Sequence, residues 1–115
     1  TMTLNSFLKK IKNQPEYIEF IETMAVIDDN YHFIETQFSN AELVNKAGEN
    51  SGSCKLFAFA QLQNLSKEQT LACFGAYYRE DVLNNPDADN HQNIRNFINH
   101  GWTGIVFNNI PLKEK

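Results

Sequence analysis

The amino-acid sequence predicts an α+β fold, about five helices packed with a small, mostly antiparallel sheet. Apolar residues recur at helical spacing in successive blocks from Leu4 up to His100. Alternation with period two is confined to residues 33–47 and 103–112. Helix-stopping residues, Pro15, Pro86 and Gly101, fall at the ends of the helical blocks.

Thr3 is suited to cap a first helix, because Leu4, Phe7, Leu8 and Ile11 follow at the spacing of one helical face. Pro15 ends that helix and fits the first turn of a second, over residues 15–31. Its stripe is Tyr17, Phe20, Ile21, Met24, Ile27 and Tyr31, with a break allowed near Phe20. Residues 33–38 are aromatic and β-branched and read as a strand. Ser39-Asn40 reads as a turn and Leu43-Val44-Asn45 as a returning strand, followed by a loop over residues 48–52. Ser53 can cap a third helix from Cys54 to Asn64. That segment is apolar on every side, which marks a central helix, although its Phe-Ala-Phe-Ala alternation also fits a buried strand. Ser66-Lys67-Glu68-Gln69 is a capping box. A fourth helix carries the stripe Leu71, Phe74, Gly75, Tyr78 and Val82 and stops before Pro86. Asp87 to Asn90 leads into a fifth helix, capped by Asp89 or Asn90, with Ile94, Phe97 and Ile98 inward and Gly101 just past its end. Thr103 to Phe107 alternates as a strand, and Asn108-Asn109 turns it back toward Ile110 and Leu112, where Pro111 is tolerable on an edge. Phe57, Phe74, Phe97 and Trp102 lie on the apolar faces of successive elements and are expected to pack together.

A chain of 115 residues fits one domain over 1–115. Its net charge is −4, and its lysines cluster only weakly, at Lys9, Lys10 and Lys12 and again at Lys113 and Lys115. No basic stripe can neutralise many phosphates, so nucleic acid is not an expected partner. Binding to an anionic membrane surface is disfavoured for the same reason. The longest apolar run, Leu56 to Ala60, is far short of the roughly 20 residues of a membrane span. No secretory signal peptide is visible in residues 1–13. Cys54 and Cys73 form no CxxC pair and no zinc-ligand pattern, and two isolated thiols suit a reducing compartment, the cytoplasm.

Several uncommon strings occur in order along the chain. They include Glu22-Thr23-Met24-Ala25-Val26-Ile27-Asp28, Gly52-Ser53-Cys54-Lys55 and Tyr77-Tyr78-Arg79. His91-Gln92-Asn93-Ile94-Arg95-Asn96-Phe97 and Gly101-Trp102 complete the set. With these strings the sequence resembles the HopJ family of bacterial proteins from about Leu4 to Leu112. The family takes its name from type III secretion effectors, so the resemblance implies that secretion by such a system stays open beside a cytoplasmic role. It implies no reaction, cofactor or catalytic set.

Two functions are expected from the residues themselves. The first is a non-catalytic domain binding a protein or a small polar ligand where the second, fourth and fifth helices converge. Asp28, Tyr31, Tyr77, Arg79, Asp81, Arg95 and Trp102 would line that site, since they stand beside core stripes and carry both charge signs. Tyr77 and Asp81 share a helical face at i, i+4, and Arg95 is placed to pair with Asp81 or Asp28. A lattice of ion pairs clamping the helices is the structural alternative. The second function is a small thiol or acid–base enzyme with Cys54 as nucleophile and His91 as base. Its premise is that a helix start next to Lys55 stabilises a thiolate. The commoner role of such a cysteine is as a small apolar side chain. Asp87, Asp89 and His91 alternate as metal ligands could, but an acidic lead-in to a helix dipole explains them, and no metal site is assigned.

Overall fold

The helix that is apolar on every side is buried on every side. In the computed structural model, which describes residues 2–115, α3 (Ser51–Leu62) hides every side chain from Leu56 to Ala60. The remaining elements assemble around it. They are α1 (Leu4–Asn13), α2 (Phe20–Asn30), α4 (Lys67–Ala72) and α5 (Gln92–His100), with β1 (Tyr31–Phe33), β2 (Phe38–Asn40), β3 (Leu43–Asn45), β4 (Ile105–Phe107) and β5 (Leu112–Glu114). This is the expected α+β architecture. Phe57, at the middle of α3, touches Phe74, Phe97 and Trp102 at ring-centroid distances of 5.5, 4.9 and 6.3 Å. The aromatic cluster expected from the sequence is therefore the heart of the core.

Local capping chemistry behaves as the sequence predicts. Thr3 Oγ1 accepts from Ser6 N at 3.1 Å at the start of α1. At α4, Gln69 N donates to Ser66 Oγ at 3.1 Å and Ser66 N donates to Gln69 Oε1 at 3.0 Å. Pro15 opens a short 3₁₀ turn (Pro15–Tyr17), and α2 begins afresh at Phe20, the position of the anticipated break. α3 starts at Ser51 and not after Ser53, with Asn50 preceding it in the left-handed region at φ 50°.

The sheet differs from expectation. The described residues form two small sheets, one ordered β3-β2-β4 and one pairing β1 with β5, all antiparallel. Residues 33–38 do not form one strand, because the chain leaves β1 after Phe33 and enters β2 at Phe38. Ser39 and Asn40 are strand residues, and the turn falls one step later at Ala41, which takes φ 56°. The last strand does not fold back on β4. It runs on to β1, pairing Phe33 with Leu112 and Tyr31 with Glu114. Pro111 sits just outside it, its carbonyl accepting from Ile34 N at 2.8 Å.

The fourth helix is also shorter than its stripe. α4 ends at Ala72, Gly75 takes φ 62°, and the chain re-enters a π-helical turn at Tyr77–Val82. In that turn Leu83 N reaches back five residues to Tyr78 O at 3.1 Å. The break is forced by close packing, since a Cβ on Gly75 would lie 2.7 Å from the backbone nitrogen of Phe20. α5 starts at Gln92, preceded by His91 at φ 53°, so neither Asp89 nor Asn90 caps it. Gly101 stops it as predicted, at φ 59°. No helix of the described residues is long and apolar enough to cross a membrane.

Candidate functional site

The starts of α3 and α5 lie side by side because one buried asparagine joins them. Asn45 Oδ1 accepts from Asn50 Nδ2 at 2.7 Å and from Asn93 Nδ2 at 2.9 Å. Asn93 Oδ1 in turn accepts from Asn40 Nδ2 at 3.1 Å and from Asn45 Nδ2 at 3.2 Å. Asn40 and Asn45 belong to β2 and β3, so the small sheet anchors both helix starts. Asn40 Oδ1 has no donor among the described residues, a burial cost of roughly 1–3 kcal/mol.

A cleft of about 550 Å³ opens at this junction. One side presents the beginnings of the two helices, with Gly52 and Ser53 from α3 and Gln92 and Asn93 from α5. Neither helix has a side-chain cap or an acidic residue in its first turn. Beside them the lining is aromatic. Phe20 stacks on Phe74 at 6.2 Å and meets the edge of Tyr77 at 5.3 Å, and Tyr77 lies 5.4 Å from the His91 ring. His91 Nε2 is 3.1 Å from Asp81 Oδ2. The π-helical turn thus delivers Tyr77 and Asp81 together onto His91, in keeping with their shared face.

The other expected site residues are distributed differently. Asp28 pairs with Lys55 at 2.9 Å, largely exposed, and Tyr31 is buried with its hydroxyl accepting from Gln63 Nε2 at 2.9 Å. Arg79 Nη1 donates to Ile18 O at 2.7 Å, and its Nη2 lies 3.6 Å from Glu19. Trp102 Nε1 donates to Leu65 O at 3.2 Å, closing the core below Phe97. Arg95 pairs with neither Asp81 nor Asp28. It turns to the carbonyls of the 85–90 loop, which lies directly against it. Of the seven, Tyr77 lines this cleft and Asp81 backs it through His91, whereas Asp28, Tyr31, Arg79, Arg95 and Trp102 do not line it. Sequence reasoning missed Phe20, Gly52, Ser53 and the asparagine lattice. One signal was in the sequence: Asn45 falls in the returning strand Leu43-Val44-Asn45, a position asparagine ordinarily avoids.

Cys54 is buried, its Sγ 3.6 Å from Thr36 O, and it does not line the cleft that His91 faces. Burial pushes its thiol up to about 11, against the smaller opposing effect of the Thr36 hydrogen bond. This corrects the expectation of a thiolate stabilised by the helix start, since burial disfavours the charged thiolate. Cys73 is pushed up to about 12, again by burial. Both thiols are free. Iodoacetamide should therefore label neither cysteine appreciably in the native protein up to about pH 9, and both on unfolding in guanidinium. Rapid native labelling of Cys54 near neutral pH would restore the thiol mechanism.

None of the curated proteins matches the chain. Among solved structures, it is similar to a crystal structure of a protein of unknown function, VPA0580, at 54% identity with a TM-score of 0.98. That match covers 100% of this chain and 96% of the other. The family described as HopJ type III effector protein matches residues 4–112. The fold, the aromatic core and the strings that run through α2, α3 and α5 thus belong together: the chain is a member of the HopJ family.

Proposed function

We propose that this protein is a non-catalytic binding domain whose cleft between the starts of α3 and α5 takes a small polar ligand with a negatively charged end. The carrying observation is the pair of uncapped helix starts held side by side by Asn45. Each start carries about half a positive charge and unpaired backbone N–H groups. Two such ends repel each other, and an anionic group between them relieves the repulsion. The aromatic wall of Phe20, Phe74 and Tyr77 suits a planar or apolar portion of the same ligand.

Phenyl phosphate is a suitable probe, titrated against isotope-labelled protein by NMR. The backbone amides of Gly52, Ser53, Asn93 and Ile94 should shift saturably. Tyr77→Ala should weaken binding roughly fivefold, the size of one lost aromatic contact. Absence of saturable shifts at millimolar probe, or shifts confined to other surfaces, would reject the reading.

Membership of a family described by type III effectors supports a second reading, delivery into another cell. A translocation reporter fused behind the chain, compared in secretion-competent and secretion-deficient strains, tests it directly.

A further inference from the structure

A second cleft, of about 420 Å³, lies on the other side of the α5 start. Its walls include Val82, Leu83, Pro86 and Ile98 on the apolar side and Arg95 and Asn96 on the polar side. Arg95 is only 9% exposed. Arginine keeps its charge at any ordinary pH, so a buried one normally carries a carboxylate partner. Here it has none. The ion pairs among the described residues join Lys10 to Glu22, Lys55 to Asp28, Arg79 to Glu19 and His91 to Asp81. Arg95 is held by neutral oxygens alone. Nε donates to Asn90 O at 2.6 Å, Nη1 to Asn85 O at 2.8 Å and to Pro86 O at 3.3 Å, and Nη2 to Asn90 Oδ1 at 2.8 Å. A guanidinium has five N–H donors, so these four bonds leave one on Nη2 without an acceptor among the described residues.

Dipoles of carbonyl groups orient a cation but do not neutralise it, and a buried uncompensated charge is costly. Arg95 itself lines a cleft that is open to a counter-ion. We propose that this second cleft binds a small aliphatic carboxylate, with its anionic group on Arg95 and its hydrocarbon chain against Val82, Leu83, Pro86 and Ile98. Leu83 is 52% exposed, an apolar surface that such a chain would cover. The site is separate from the one between the helix starts, although Gln92 borders both.

Hexanoate is the probe, with hexanamide as its uncharged counterpart, each followed by NMR and calorimetry. Hexanoate should shift the Arg95 Nε–H and the Leu83 and Asn96 amides saturably, and hexanamide should bind at least tenfold more weakly. Arg95→Met removes the bonds that hold the 85–90 loop, so the test rests on Leu83→Glu, whose side chain takes part in none of them. That variant should keep the native spectrum and lose hexanoate affinity at least tenfold. Tyr77→Ala should leave hexanoate binding unchanged, which separates this site from the first cleft. Equal binding of the two probes, no saturable binding at roughly 10 mM, or Leu83→Glu without effect would each overturn the proposal and leave Arg95 as a clamp for its loop.

Discussion

Phe57→Ala is expected to cost about 3–5 kcal/mol of folding stability, the usual range for truncating a fully buried phenylalanine. Phe57 is completely buried and stands where four aromatic neighbours converge. Besides Phe74, Phe97 and Trp102 it meets Phe38 of β2 at 6.1 Å, so one ring joins helix, sheet and the chain after α5. Removing it opens a cavity that four different elements would have to fill together. Close packing from several directions makes collapse hard, which places the cost toward the upper end. Total stability of a domain this size is about 5–15 kcal/mol, so the variant should lie near the edge of folding at 37 °C. Urea titration measures it. A lower midpoint with an unchanged slope is expected, and a loss under about 1 kcal/mol would show that Phe57 is not the hub.

Gly75→Ala should be destabilising by roughly 2–5 kcal/mol, although it adds only a methyl group. Part is conformational: the left-handed backbone at φ 62° costs a residue with a Cβ about 1–2 kcal/mol. The rest is steric. The new carbon would lie 2.7 Å from Phe20 N and 3.1 Å from Ile18 O, and these are backbone atoms that cannot swing aside. Overpacking of this kind adds about 1–3 kcal/mol. The relief available is movement of the start of α2, which carries Phe20 and with it the aromatic wall of the cleft. Gly75→Ala should therefore shift the Phe20 and Tyr77 ring resonances as well as lower the denaturation midpoint. Gly48→Ala is a useful comparison, because that glycine also has positive φ but a new Cβ there meets only the Glu35 side chain, at 3.3 Å. If the two variants lose the same stability, backbone conformation alone is at issue and the clash at Gly75 is not.

The candidate site was only partly legible in the sequence. Tyr77 and Asp81 were recognisable as a pair from their spacing, and they do meet at His91. Their partner residues were not recognisable, because Phe20, Gly52 and Asn93 come from segments far apart in the chain. The position of Arg95 in the sequence points to a carboxylate partner, Asp81 or Asp28. A charged side chain's partner depends on which loop happens to lie against it, and here that is the 85–90 carbonyls. Of the lattice asparagines, Asn40 reads as a turn former, a common use of the residue, Asn45 as a strand residue and Asn93 as a helix residue. Asn40 and Asn45, the last residues of β2 and β3, and Asn93, in the first turn of α5, form a buried lattice, because a side-chain amide can both donate and accept.

What the sequence determined by itself is what short-range chemistry decides. Thr3, the Ser66–Gln69 box, Pro15 and Gly101 set helix starts and stops through backbone groups a few residues away. The unbroken apolar run from Leu56 to Ala60 marked the central element, as helix or buried strand, since burial of apolar area does not depend on which neighbour supplies it. The tertiary structure alone decided that β5 pairs with β1 and not with β4, that α4 stops short at a backbone contact with α2, and that the starts of α3 and α5 meet. Each of these outcomes is a choice among partners distant in sequence. No local propensity ranks them, because it is the shared core around Phe57 that brings one pair of segments within reach and keeps the other apart.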